Sequence, residues 1–380
     1  MNYIRKISLT SSLVRKITAI NFVRNMSEAS KFRVFITRSD MPEVGYLLNF
    51  ETVMLHWHSL LLLSLIFYNK LQYEFGFRLL YRCDVTICET PLPISRKDLL
   101  SSVSGVDGIY CSLNEKIDKE LLDTAGSNLK VVTTISVGYD HIDVPECKKR
   151  GIRIGYTPNV LTDATAELTL ALLLATSRRL PEAMHEAQTG GWKSWAPTWM
   201  TGPGLAGATV GIAGFGRIGQ AVARRVKSFK TSKILYFNRS ERPEAKEIGA
   251  IKVSFEELLV QSDFVICCAA LTPETKEIFN KDAFNKMKKT AIFVNTSRGD
   301  LVDQDALIEA LQNNTIRAAG LDVTTPEPLP LHSPLFKMKN CVILPHIGSA
   351  AIDARNTMSE LCAKNILAVL NGTEMPAELK

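Results

Sequence analysis

Three polar residues stand just after three apolar runs. They are Arg298 in Asn295-Thr296-Ser297-Arg298-Gly299-Asp300, Glu327 in Leu321-Asp322-Val323-Thr324-Thr325-Pro326-Glu327-Pro328, and His346 in Leu344-Pro345-His346-Ile347-Gly348-Ser349. Singly, each has an ordinary explanation: a surface charge, loop solvation, a satisfied loop histidine. Together they carry chemistry. A guanidinium can clamp a carboxylate through two parallel bonds. An imidazole can deliver a proton, and a carboxylate hydrogen-bonded to it would favour the imidazolium. Segments that follow parallel strands gather on one edge of the sheet, where ligands bind. With a hydride carrier nearby, these groups would suffice to reduce a 2-keto acid.

A hydride-carrier site is legible upstream. An apolar run, Thr209–Ala213, feeds Gly214-Phe215-Gly216-Arg217-Ile218-Gly219, and residues 220–227 read as a helix with an apolar face. Strand, G-x-G-x-x-G turn and helix form the context a dinucleotide fingerprint requires. Gly214 would permit the tight turn, Gly216 the approach of backbone to pyrophosphate, and Gly219 the packing of helix on sheet. The phosphates would sit at the helix N-terminus, around Arg217 and Ile218. The next strand ends at Phe237 and leads into Asn238-Arg239-Ser240-Glu241-Arg242. An NAD site places a carboxylate about 20 residues past the glycines, on the ribose 2′-OH. No carboxylate stands at this strand end. Arg239, Ser240 and Arg242 favour a 2′-phosphate, hence NADPH/NADP over NAD(H), although a solvated basic turn would read the same way.

The elements that must position these residues alternate. Strand-like runs fall at 31–37, Cys83–Cys88, Gly108–Cys111, 130–135, Arg153–Gly155, Thr209–Ala213, Lys233–Phe237, 264–269, 291–295, Ala318–Leu321 and 341–344, with helical patterns between them. That is the rhythm of a parallel α/β sheet. The fingerprint lies mid-chain. It predicts an NAD(P)-binding Rossmann domain at 158–345 inserted into a substrate domain made of 31–157 and a return helix at 346–380. The expected fold is two Rossmann-like doubly wound domains with parallel sheets and a cleft between them.

Composition narrows the function. Net charge is +6, but residues 1–27 hold Arg5, Lys6, Arg15, Lys16 and Arg24 and no acidic residue; taking these five away leaves +1. A near-neutral body argues against a nucleic-acid partner. The eight cysteines form no C-x-x-C and no Cys/His spacing of a zinc site, which points to buried reduced thiols, a reducing compartment and no metal. The expected location is the cytosol. The basic, Ser/Thr-containing N-terminus also suits a mitochondrial transit peptide, an unstructured tail, or sequence preceding a start at Met26. Residues 53–68 are nearly all apolar, yet a membrane-spanning helix needs about 20 residues. No cap, turn or helical stripe organises this tract. It reads as an anomalous insertion at about 49–77, of the kind a retained intron would leave, rather than as a membrane anchor.

These segments resemble the D-isomer-specific 2-hydroxyacid dehydrogenases. The resemblance rests on Ser136-Val137-Gly138-Tyr139-Asp140-His141-Ile142-Asp143, the fingerprint, and the Arg298, Glu327 and His346 segments. Within that family, Arg150-Gly151-Ile152-Arg153-Ile154-Gly155-Tyr156-Thr157-Pro158, Gly190-Gly191-Trp192-Lys193-Ser194-Trp195 and the ending Met375-Pro376-Ala377-Glu378-Leu379-Lys380 look most like the branch that reduces glyoxylate and hydroxypyruvate. The resemblance implies that Arg298, Glu327 and His346 are catalytic and that the Val137 and Gly138 N–H groups bind the substrate carboxylate. It implies that Asp322 anchors the nicotinamide amide, that Ala270, Thr296 and Gly348 line the cofactor pocket, and that Ser349 lies close to substrate. It further implies a homodimer in which Trp195 could reach the partner's cleft. From the residues alone, the Trp192 to Trp199 stretch is ordinary packing or interface surface.

Two other readings share this fold: a 3-phosphoglycerate-type dehydrogenase, which would prefer an acidic residue near Asn238, and a nucleotide-sensing corepressor, which does not need the 2′-phosphate signature. Formate dehydrogenases use Gln where Glu327 stands.

Overall fold

The computed structural model describes residues 4–6, 32–42, 83–89 and 93–380. The insertion at 49–77 lies outside the described residues, as does the N-terminal segment apart from Ile4–Lys6. The chain divides into two compact units, Met1–Val160 with Ile352–Lys380, and Leu161–Ala351.

In the first unit, β1 (Ile4–Lys6), β2 (Phe32–Ile36), β3 (Cys83–Cys88), β4 (Gly108–Cys111), β5 (Val131–Thr134) and β6 (Arg153–Gly155) form one sheet in the order β1-β3-β2-β4-β5-β6. Strands β2 to β6 pair in parallel. Strand β1 departs from the all-parallel expectation and runs antiparallel along β3 at the edge. On one face Phe35, Ile109, Val132 and Ile154 pack with Leu99, Leu121, Leu122 and Cys147 from three short helices. The long helix Ile352–Leu370 belongs to this unit as well. Its Ser359 accepts from the buried Tyr110 hydroxyl at 3.0 Å, and its Asn365 donates to Tyr156 O at 3.2 Å. Gly155 makes that approach possible, since a Cβ there would lie 2.8 Å from Asn365 Cβ.

In the second unit, β7 (Thr209–Ala213), β8 (Lys233–Phe237), β9 (Ala250–Lys252), β10 (Phe264–Cys267), β11 (Ile292–Asn295), β12 (Ala318–Leu321) and β13 (Cys341–Ile343) form a parallel sheet. The order β13-β12-β11-β10-β7-β8-β9 reverses direction between β7 and β10, the switch point at which doubly wound sheets hold nucleotides. Alternate side chains of each strand enter opposite cores. Phe264 and Ile266 pack with Val222 and Val226, while Val265 and Cys267 pack with Leu258, Phe284 and Leu307. A sheet covered on both faces explains the near-continuous apolar runs.

The observed division falls at Ile352, where 346 was expected. The cause is local. The backbone of His346, Ile347 and Gly348 is bonded to Asp322, so this stretch is part of the nucleotide unit and the chain leaves only at the following helix. Strand β9 had no sequence signal. It is three residues long, and Ile251 in its centre is exposed, so it shows no buried alternation.

Candidate active site

The dinucleotide loop is built by sterics. Gly214 has φ +93°, and a Cβ there would lie 2.4 Å from Ala269 N. A Cβ on Gly219 would lie 2.2 Å from Gly214 O, so the helix Arg217–Lys227 can approach the turn only without a side chain. A Cβ on Gly216 would meet nothing within 4 Å, and no side chain caps the helix it begins. The loop therefore presents open space to a bare helix N-terminus, which fits a pyrophosphate.

Asn238 does not face outward. Its Oδ1 accepts from Phe215 N–H at 3.3 Å and its Nδ2 donates to Ser240 O at 2.9 Å, tying the fingerprint to the next loop. Arg239, Ser240 and Arg242 follow on the exposed surface. Tyr236 stacks on Phe215 at 4.2 Å between ring centroids and accepts from Arg242 N–H at 3.3 Å, which seats the loop.

At the ends of β12 and β13, a buried carboxylate organises the histidine. Asp322 is 1% exposed. Its Oδ1 accepts from Ile347 N–H and its Oδ2 from Gly348 N–H, both at 2.8 Å, while His346 N–H donates to Asp322 O at 2.9 Å. Burial pushes the Asp322 carboxyl up, and the Ile347 N–H and the His346 ring pull against that. Held this way, His346 adopts φ +54°, a left-handed conformation costing roughly 1–2 kcal/mol in a residue other than glycine. Such an outlier persists only where its surroundings over-determine it.

His346 Nδ1 lies 2.7 Å from Glu327 Oε2, and Glu327 Oε1 accepts from Thr324 N–H at 3.0 Å. An ionised carboxylate only accepts, so Nδ1 carries the shared proton and Nε2 is left to act on a substrate.

The Arg298 loop is stitched to the Glu327 loop. A Cβ on Gly299 would lie 2.1 Å from Thr324 O, so only glycine lets the two backbones meet. Asp300 Oδ1 accepts from Thr325 Oγ1 at 2.9 Å, and Gln304 exchanges two bonds with the Thr325 backbone at 2.7 and 3.1 Å. Asn295 Nδ2 donates to Arg298 O at 2.8 Å, and Arg298 Nη1 donates to Ser297 O at 2.9 Å.

Thr296 Oγ1 pairs with Thr169 Oγ1 at 2.7 Å. Thr165 Cγ2 lies 3.5 Å from where a Gly348 Cβ would be. These two threonines of the helix Thr162–Ser177 escaped the sequence reading. Their signal was Thr162, Thr165 and Thr169, spaced to share one face of a largely apolar helix. Ala270 O accepts from Thr275 Oγ1 at 2.7 Å, and Ser349 is half-buried beside Gly348. Val137 and Gly138 lie in the first unit, directly after β5. Trp195 is 82% exposed, beyond a helix, Leu180–Thr189, that buries no residue. None of the eight cysteines is in a disulfide, and burial pushes the Cys267 thiol up to about 12. Among the described residues no cluster could hold a metal ion, and no helix is long and apolar enough to cross a membrane.

Residues 170–348 match the D-isomer specific 2-hydroxyacid dehydrogenase, NAD binding domain family. The chain is 57% identical over 299 residues to glyoxylate reductase/hydroxypyruvate reductase of Mus musculus, covering 78% of this chain and 91% of the relative. It is 50% identical over 291 residues to glyoxylate reductase of Thermococcus kodakarensis, covering 75% and 86%. Among solved structures, an NADPH-dependent glyoxylate/hydroxypyruvate reductase from Sinorhizobium meliloti, in complex with NADP and malonate, superposes with a TM-score of 0.74 at 30% identity, covering 92% of this chain and 97% of that one. The chain belongs to the D-isomer-specific 2-hydroxyacid dehydrogenase family and is an oxidoreductase that uses a nicotinamide cofactor.

Proposed function

We propose that this chain reduces small 2-keto acids with NADPH, taking glyoxylate to glycolate and hydroxypyruvate to D-glycerate. The observation that carries the reading is the 2.7 Å bond between His346 Nδ1 and Glu327 Oε2, next to a loop that bears Arg298. Bound nicotinamide supplies a hydride to the carbonyl carbon. Arg298 clamps the substrate carboxylate, which the Val137 and Gly138 amides also receive. As the carbonyl electron pair moves onto oxygen, His346 Nε2 gives that oxygen its proton. Glu327 fixes the ring through its bond to Nδ1. Asp322 would hold the nicotinamide amide, with Ala270, Thr296 and Gly348 along the pocket and Ser349 near the substrate.

The preference for NADP(H) over NAD(H) is supported by Asn238, which is spent on the loop, and by Arg239, Ser240 and Arg242, which lie exposed after β8 and could bind a 2′-phosphate. The relative from Sinorhizobium meliloti is itself NADPH-dependent. A homodimer is supported by the exposed Met184, Trp192, Trp195 and Trp199. Within it, Trp195 would contact the partner's substrate. Unbridged thiols support the cytosol. The test is the loss of NADPH absorbance with glyoxylate or hydroxypyruvate, repeated with NADH. Turnover of both acids and a higher kcat/KM with NADPH are expected. No turnover of either acid overturns the reading.

A further inference from the structure

The turn after β5 contains hydroxyl and imidazole groups to which the proposed mechanism gives no role. Ser136 Oγ donates to Gly138 O at 2.6 Å, Thr134 Oγ1 lies 2.8 Å from Ser136 Oγ, and His141 Nε2 lies 3.0 Å from Thr134 Oγ1. Ser136 and Thr134 are both buried. A hydroxyl has one proton to give. A carbonyl can only accept, so the Ser136 proton is committed to Gly138 O. Thr134 must then donate to Ser136, and His141 Nε2–H must donate to Thr134. The chain runs one way, from imidazole to backbone carbonyl.

This relay ends on the peptide that follows the Val137 and Gly138 amides. The peptide before them is fixed too, because Thr157 N–H donates to Ser136 O at 2.9 Å. C=O and N–H point in opposite directions across a trans peptide. Val137 N–H is therefore turned away from Thr157, and the Val137 to Gly138 peptide is held between two anchored planes.

We propose that Ser136, Thr134 and His141 form a positioning relay that aims the Val137 and Gly138 amides at the substrate carboxylate. The inference rests on the proposed role of those amides. Ser136 and His141 are positioning residues: they act through the turn and set substrate affinity without taking part in hydride or proton transfer.

The test compares wild type with Ser136→Ala, His141→Leu, His141→Gln and the Ser136→Ala/His141→Leu pair. It measures hydroxypyruvate KM and kcat, the NADPH Kd, and the Kd for oxalate on the NADP complex. One hydrogen bond of this kind is worth about 1 kcal/mol, so Ser136→Ala should raise KM and the oxalate Kd roughly five- to tenfold, with kcat within about threefold and NADPH binding unchanged. His141→Leu should shift KM in the same direction, and His141→Gln, which retains a donor, should restore it. Because the groups act in series, the pair should be no worse than Ser136→Ala alone. Additive effects in the pair, or a loss in kcat at unchanged KM, overturn the relay. Separately, oxalate should shift the Val137 and Gly138 amide resonances of the labelled wild-type protein. If those amides move but Ser136→Ala binds oxalate and hydroxypyruvate as wild type does, the relay fails while the carboxylate reading stands. If the amides do not move, the carboxylate reading fails and the relay with it.

Discussion

Two turns, each at the carboxyl end of a parallel strand, are pinned from below in different ways. The Val137 and Gly138 turn of the first unit rests on hydroxyls, with Ser136 Oγ donating to Gly138 O. The His346 turn of the second unit rests on a carboxylate, with Asp322 accepting from two successive amides. On the proposed mechanism, the difference follows from what each turn would hold. A carboxylate beneath an anion-binding turn would repel the anion, whereas a hydroxyl pin adds no charge. A turn that presents an imidazole carries no such penalty, and the two oxygens of one carboxylate satisfy two amides at once. Glu327 supplies a second carboxylate, in direct contact with the ring.

The comparison breaks most visibly at the histidine. His346→Gln should lower kcat by about 10²–10⁴, the usual contribution of a positioned general acid. The thermal midpoint should not move, because the Asp322 bonds are to backbone. Activity near wild type removes His346 as the donor. Arg298→Lys should lower kcat/KM roughly 10–10²-fold with NADPH binding kept, since an ammonium cannot make the bidentate clamp. A normal kcat/KM would leave the carboxylate to the amide turn alone.

Asp322→Asn sharpens the contrast. An amide cannot accept on both of its arms, so one of the Ile347 and Gly348 N–H groups loses its partner. That should cost about 1–3 kcal/mol. Both the denaturation midpoint and kcat should fall, unlike in His346→Gln. The two pins should also separate kinetically, Ser136→Ala acting on KM and Asp322→Asn on kcat. The crossed pattern would show that the pins are interchangeable.

The sequence made some of this plain and hid the rest for physical reasons. Strand ends such as Phe237 and Leu321 were legible because apolar runs stop where a buried sheet stops. The glycine loop was legible because its steric demands admit one residue type. His346, Glu327 and a hydrogen bond between them could be expected, but not which atoms meet, because that depends on two loops from different strands. Asp322 reads as a cofactor ligand by resemblance; its bonds to the His346 loop are backbone bonds and leave no mark on sequence. The Ser136 relay was hidden because its links depend on how the turn folds Thr134, Ser136 and His141 together, and Thr165 and Thr169 were hidden within a largely apolar helix.

The central claim is that His346 is the proton donor and that Glu327 holds it in place. It is tested most directly by kcat for wild type and Glu327→Gln, with a solvent isotope effect establishing that chemistry limits the rate. Glu327 accepts from His346 Nδ1 at 2.7 Å and from Thr324 N–H at 3.0 Å, and the single oxygen of a Gln side chain cannot replace both carboxylate oxygens. The loss of one such bond to the ring should lower kcat roughly tenfold in Glu327→Gln. A wild-type kcat in Glu327→Gln, with chemistry limiting in both proteins, would contradict the account.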